Sequence, residues 1–176
     1  AFDSAFAGPD GKSLCATDHP LEKAGGVQSN RLAVAADLDP TSLELCFTDY
    51  ELTKKSNGEL QRTPAKYVVV AAANRFNVNA IIRSTLRSDT SNNATNALKY
   101  ADSGLPDPLV WPHLTDPDAF FVAAGAGENG LVWVNRLSPY SARWYDDRAE
   151  IMYEAIRYRA DHGWEDFRGV FGSPGA

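Results

Sequence analysis

Apolar positions along the chain come in short blocks separated by long polar connections, and the spacing within each block predicts a different element. Residues 1–31 hold no sustained period of about 2 or 3.6 and are dense in Gly, Asp, Ser and Pro, as in Ala7-Gly8-Pro9-Asp10-Gly11-Lys12 and Gly25-Gly26. They predict a long structured loop, which needs a surface to lie on. The first helix starts at Leu38-Asp39-Pro40, with Asp39 as N-cap, Pro40 in the first helical position and Leu38 stapled onto Leu43. Leu43, Cys46, Phe47 and Tyr50 form its apolar face, Lys54 and Lys55 suit its C-terminal dipole, and Asn57-Gly58 is its expected stop. The short, nearly unbroken apolar run Lys66 to Ala71 predicts a strand buried on both faces. Val78, Ile81, Ile82 and Leu86 follow helical spacing, which predicts a second helix over Asn74 to Leu86 with Arg83 and Arg87 on its last turns.

Further along, Ser88 to Asn96 is a polar loop and Pro106 to Pro117 a Pro-rich one. Phe120 to Ala123 and Leu131 to Val134, joined by Gly125-Ala126-Gly127-Glu128-Asn129-Gly130, have the pattern of a hairpin. Residues 147–160 fit either period: Met152, Ala155, Ile156 and Arg159 suit a helix, whereas Ile151, Tyr153, Ala155 and Arg157 alternate as in a strand. Strands with two helices among them and no internal repeat make the fold α+β, with a mixed sheet and Phe47, Val68, Val70, Ile82 and Val132 in its core.

Composition narrows the function more than the fold. The 176 residues are 44% hydrophobic and 23% charged, typical of an ordinary globular chain. Seventeen basic against 23 acidic residues leave a net charge of −6, the wrong sign for wrapping a phosphate backbone. No apolar run approaches the roughly 18 residues of a membrane helix, so a soluble chain is expected. The first residues have neither Met nor a basic n-region, and Phe2 and Phe6 at helical spacing read as the end of a longer helix. Cys15 and Cys46 are expected as buried thiols rather than a bridge.

The search for chemistry returns little. Cys15 and His19 have a Cys-x3-His spacing but lack a second ligand pair, so no metal is expected; His19 instead hydrogen-bonds a loop. His19, His113 and His162 fall in polar or Pro-rich segments without an adjacent nucleophile. Residues 125–130 match G-x-G-x-x-G, yet a strand follows where a dinucleotide site needs a helix N-terminus. Asp146 and Asp147 point to opposite sides of an extended chain, and Asn93-Ala94-Thr95 fits a glycosylation acceptor with no secretory signal ahead of it. Trp111, Trp133, Trp144 and Trp164 are more telling, because loop tryptophans mark contact surfaces, although Trp133 suits a core equally well.

Several separated stretches, in order, resemble the major capsid (major head subunit) proteins of tailed bacteriophages, in the Mu-like branch of the Hong Kong 97 fold. They are Ala1-Phe2-Asp3-Ser4-Ala5-Phe6 leading to Gly8-Pro9-Asp10-Gly11-Lys12-Ser13-Leu14 and Thr17-Asp18-His19-Pro20, then Gly25-Gly26 and Asn30. Pro64, the strand Tyr67 to Val70, the helix through Ile81, Ile82 and Ser84, and the loop Asn92, Asn93, Asn96 follow. Asp118-Ala119-Phe120-Phe121 and Trp164-Glu165-Asp166-Phe167-Arg168-Gly169-Val170-Phe171-Gly172 close the series.

The resemblance implies the C-terminal portion of such a subunit. Residues 1–31 would follow a spine helix lying outside this sequence, 32–141 form the axial domain, 142–160 a peripheral-domain strand, and 161–176 the return to the axial domain. It favours strand over helix for 147–160. It implies a structural protein of a phage or prophage head, without cofactor, assembled in the bacterial cytoplasm into pentamers and hexamers. Its partners would be copies of itself and the scaffold and portal proteins, with no membrane and no specific nucleic-acid contact. Asn92, Asn93, Asn96, Trp111, Trp144 and Trp164 are the candidate subunit contacts. An encapsulin-like nanocompartment shell shares the fold, and the alternative from another class is a small hydrolase using Asp18, His19 or His162. Without the arm and extended loop that clasp neighbours, this chain alone is expected to form monomers or small oligomers rather than closed shells.

Overall fold

The computed structural model describes residues 1–87, 94–100 and 106–176. The elements are β1 (His19–Pro20), β2 (Val27–Gln28), α1 (Pro40–Glu51), β3 (Ala65–Val70), α2 (Arg75–Arg83), β4 (Asp107–Val110), β5 (Phe120–Ala124), β6 (Leu131–Asp146), β7 (Ile151–Trp164) and β8 (Val170–Ser173). Single 3-10 turns precede α2 at Ala72–Asn74 and follow it at Ala97–Tyr100. The chain is α+β: a mixed four-stranded sheet in the order β4-β3-β5-β8, a small β1-β2 pair, and a separate two-stranded ribbon of β6 and β7.

Helix α1 begins where its sequence dictates. The Asp39 carboxylate accepts from the Ser42 N–H while the Ser42 hydroxyl accepts from the Asp39 N–H, so two free N-terminal donors are satisfied reciprocally ahead of Pro40. It stops earlier than Asn57-Gly58 suggests, at Glu51. Those two residues instead turn a tight loop closed by the Lys55 N–H to Glu59 O bond, with Gly58 at φ 89°, and Lys54 and Lys55 lie beyond the helix. Helix α2 is likewise shorter than its apolar spacing. Leu86 leaves it to bridge Thr95, and Asn96 takes over the helix end, its Nδ2 donating to Ile81 O and Ser84 O.

Strand β3 runs parallel to β4, across the connection that contains α2, and antiparallel to β5, which in turn pairs antiparallel with β8. Alternation along the strands sorts side chains onto two faces. Val68, Val70, Phe120, Val122 and Phe171 meet Leu43, Cys46 and Tyr50 of α1 and Val78, Ile81 and Ile82 of α2 in the main core. Each large side chain buried there contributes on the order of 2 kcal/mol. The other face is covered by the N-terminal segment: Leu14 and Cys15 pack with Ala123 and Val170, flanked by Phe2, Phe121 and Trp164. The expected strand buried on both faces is therefore buried fully on one, with Tyr67 and Val69 half-buried on the other. Phe2 does not continue a helix. It stacks on Phe121 at 5.5 Å, and both rings lie across Gly172, where a Cβ would stand 2.7 Å from Phe121.

The predicted hairpin is not formed. Strand β5 is an inner strand of the sheet, whereas β6 leaves the body after the Gly-rich loop and pairs only with β7. The pattern misled because two apolar runs around a Gly-rich loop specify that two strands exist, not that they pair. The ambiguity over residues 147–160 resolves as strand from Ile151 onward, after a turn in which Glu150 takes φ 53°. Of the predicted core, Val68, Val70 and Ile82 are buried. Phe47 and Val132 are half-buried, the first at the edge of the main core and the second on the ribbon.

Candidate functional site

Two features stand out once the core is accounted for: a buried polar hub beneath the N-terminal segment, and the ribbon that springs from beside it. The hub is built on Asn30. Its Nδ2 donates to the carbonyls of Leu14 (2.7 Å), Val170 (3.0 Å) and Phe167 (3.2 Å), and its Oδ1 accepts from the Ala16 N–H at 2.9 Å. These partners fix the orientation of the amide, so the same oxygen faces His19 Nε2 at 3.0 Å. His19 Nδ1 faces the Asp10 carboxylate. His19 therefore links the Asp10 carboxylate to the Asn30 amide, one ring nitrogen facing each. The ring is completely buried and lies flat on Phe167, centroids 3.7 Å apart.

Burial works to raise the Asp10 carboxyl, but its bonds to His19 and to the Lys12 N–H outweigh that and hold it below the ordinary 3.8. Close by, burial pushes the Cys15 thiol up to about 12, and it pushes Cys46 up as well, so neither is a nucleophile. Among the described residues no group of three or more His, Cys, Asp or Glu side chains is placed to hold a metal ion. No helix among them is long and apolar enough to cross a membrane.

Arg168 ties the same region to the body. It pairs with Asp166 and donates to Lys54 O and Ser56 Oγ, joining the segment after β7 to the α1–β3 connection. Next to it the ribbon root is closed by backbone contact. Gly130, at φ 69°, would place a Cβ 2.1 Å from Asp166 O, and Gly169 would place one 2.4 Å from the Asn129 Cα. Glycine is required at both, since two chain segments touch there without side chains between them. Phe6 completes the root, stacked against His162 at 5.7 Å and tilted against Trp164 at 5.3 Å, with Trp133 continuing the row at 6.3 Å from His162.

Beyond the root the ribbon projects with both faces open. Strands β6 and β7 are 16 and 14 residues long and pair from Leu131↔Trp164 to Asp146↔Ile151, with register shifts around Leu137. Trp133, Tyr140, Trp144, Tyr145, Met152, Ile156 and Tyr158 are each half or more exposed, although they are the residue types that normally form cores. An isolated two-stranded hairpin is marginal in water, and here the described residues leave the apolar side chains on both of its faces largely uncovered. The charge differs from the body too. Residues 131–164 carry five Arg and five Asp or Glu, so the whole excess of −6 lies on the rest of the chain.

The residues singled out from sequence are scattered. Trp144 is half-exposed on the ribbon, stacked on Tyr153, and Trp111 is half-exposed just after β4. Trp164 is partly covered at the root, its indole N–H without a partner, against Gly8. Asn96 is buried and its amide is engaged at the end of α2. Asn92 and Asn93, with the glycosylation pattern at Asn93, lie outside the described residues. Asp18 is paired on the surface with Lys12, His19 is sealed in the hub, and His162 lies in β7 between Phe6 and Trp133 rather than in a loop. Sequence reasoning missed Asn30 as the hub and the ribbon as a surface; the clustered aromatics of 131–164 were the available signal for the second. No protein-family model matches this chain, and no curated protein matches it.

Proposed function

We propose that this chain is a structural subunit of a shell built from many copies, in the manner of the tailed-phage head proteins it resembles in sequence, with the four-stranded body as its axial part. The observation that carries the reading is the ribbon. A long two-stranded arm with apolar side chains on both faces gains stability only when covered, and a shell subunit is covered there by its neighbours. The acidic body agrees with that role, since a surface of net −6 repels packaged nucleic acid instead of adhering to it. Both thiols and His19 are sealed, which suits a structural part better than a hydrolase.

Expression in bacteria of the whole reading frame that contains this chain, followed by electron microscopy of the purified product, is the test. Uniform closed particles are expected, and a product that stays monomeric at tens of micromolar overturns the reading. Particles that hold a cargo enzyme and never nucleic acid turn it toward a nanocompartment shell. The 176-residue chain by itself is expected to give only monomers or small oligomers in light scattering.

A further inference from the structure

We infer that Arg136, Arg157 and Arg159 form a docking site for carboxylates, occupied by the acidic corner of Asp37, Asp116 and Asp118 on the body of a second copy of this chain. The three arginines line one hollow on the ribbon, with Leu137, Ile156 and Tyr158 between them. Arg157 and Arg159 stand two positions apart on the same side of β7, about 7 Å from each other along the strand. Arg136 joins them because the register shifts there: Asn135 opposes Ala160 and Leu137 opposes Arg159, which leaves Arg136 unopposed. None of the three forms an ion pair or a side-chain hydrogen bond among the described residues. Every residue around the hollow belongs to the ribbon, so the subunit's own body supplies no anion to it. Guanidinium groups in this position take carboxylates as planar, two-bond forks.

The complement lies at the far end of the body. Strands β5 and β8 pair from Phe120↔Ser173 to Ala123↔Val170, and the ribbon root at Gly130 and Gly169 is next to the second of these pairs. The acidic corner is next to the first. Gly175 lies against Asp118, where a Cβ would stand 2.5 Å from the Asp118 Cβ; Asp116 accepts from the Asp118 N–H, and Asp37 accepts from the Ala176 N–H. All three carboxylates are exposed, and none has an ion-pair partner among the described residues. Free cations on the arm and free anions at the opposite end of the body make a head-to-tail contact, which passes from copy to copy instead of closing on itself in a dimer. Charge also decides against nucleic acid as occupant. The cationic stretch is short: Asp161 follows two positions toward the root, and Glu154, Glu150, Asp147 and Asp146 lie toward the tip. A phosphate backbone laid along the ribbon would meet carboxylates on both sides, whereas a compact group of carboxylates meets the arginines alone. Because the body holds the whole excess of −6, two bodies repel, and ribbon on body is the contact that charge favours.

This contact rests on the shell reading and deepens it by naming one interface between subunits, yet it is measured in solution without particles. A head-to-tail contact in a chain whose full product never closes into particles would count against the shell alone. The test uses two variants of the 176-residue chain. One combines Arg136→Gln, Arg157→Gln and Arg159→Gln; the other combines Asp37→Asn, Asp116→Asn and Asp118→Asn, amides that keep the acceptors for the Ala176 and Asp118 N–H groups. In sedimentation equilibrium the wild-type mass is expected to rise with concentration past that of a dimer, and to fall when salt is raised from about 0.05 to about 0.5 M. Each variant alone is expected to associate about tenfold or more weakly. Mixed in equal amounts, the two are expected to form a 1:1 pair that grows no further, because only the intact arm of one meets the intact corner of the other. A mixture that stays monomeric, a variant that associates like wild type, or a wild-type chain still monomeric at roughly 500 micromolar overturns the proposal. So does a single-stranded oligonucleotide held by the wild-type and acidic-corner chains and lost by the arginine variant, which would give the hollow to phosphate.

Discussion

Asn30 does more for this molecule than its residue type suggests. One amide joins Leu14, Ala16, His19, Phe167 and Val170, which belong to segments about 140 positions apart in the chain. Asn30→Leu takes their amide partner from the Leu14 and Val170 carbonyls, the Ala16 N–H and a His19 ring nitrogen, while the Phe167 carbonyl keeps the Val170 N–H, and is expected to cost about 4 kcal/mol in urea unfolding, near the upper end for one substitution. Asp10 supplies the pH dependence of the same hub. Its carboxyl is held below the unfolded value of 3.8, so the ionised form stabilises the fold in full above that value. That contribution is lost as pH falls through the lower folded value. Urea midpoints measured between about pH 2.5 and 6 should therefore fall less steeply on acidification for Asp10→Asn than for wild type. Equal slopes would show that Asp10 is not coupled to folding. The hub was not legible in sequence, since a lone Asn in a polar stretch carries no sign of partners supplied by the far end of the chain.

At the scale of elements, what was legible was what local chemistry determines. The start of α1 follows from Asp39, Pro40 and Ser42, all within one turn, and the apolar run at Tyr67 to Val70 is a strand. Pairing was not legible. The Gly-rich loop looked like the turn of a hairpin, but its strands diverge, because β5 finds β3 and β8 while β6 finds β7. Helix ends were misplaced for a related reason: Leu86 keeps helical spacing but is drawn into a bridge with Thr95. The loop's glycines are not equivalent, and that can be measured. Gly127 and Gly130 both have positive φ, but a Cβ at 127 meets nothing within 4 Å whereas one at 130 meets the Asp166 carbonyl at 2.1 Å. Gly127→Ala is expected to cost about 1 kcal/mol from backbone strain alone, and Gly130→Ala at least about 2 kcal/mol more. Thermal denaturation of the two variants side by side checks the ranking.

For the whole molecule, the division between body and ribbon has energetic content. The main core draws on α1, α2 and the four-stranded sheet and takes nothing from the ribbon beyond its root. Replacing residues 136–159 with a tight two-residue turn is therefore expected to leave a folded body, its melting temperature within a few degrees of wild type and its solubility improved. Collapse of the fold on that excision would show that the arm helps to hold the body together. The resemblance to phage head subunits carried the sequence reading furthest at this scale, since it favoured strand for 147–160 where periodicity was undecided.

The closed root of the ribbon has a geometric consequence. At about 3.4 Å per residue, an arm of this length reaches roughly 50 Å, so it acts as a lever: tilting it by about 5° at its base displaces the tip by about 4 Å. That angle is set where the Gly130 backbone lies against Asp166 and the Gly169 backbone against Asn129, two contacts with no side chain between the segments to deform. Whatever grips the far end of the arm is thus held at a bearing fixed by a few backbone atoms. The curvature of anything built from such parts is set at that fulcrum, far from the surfaces that touch.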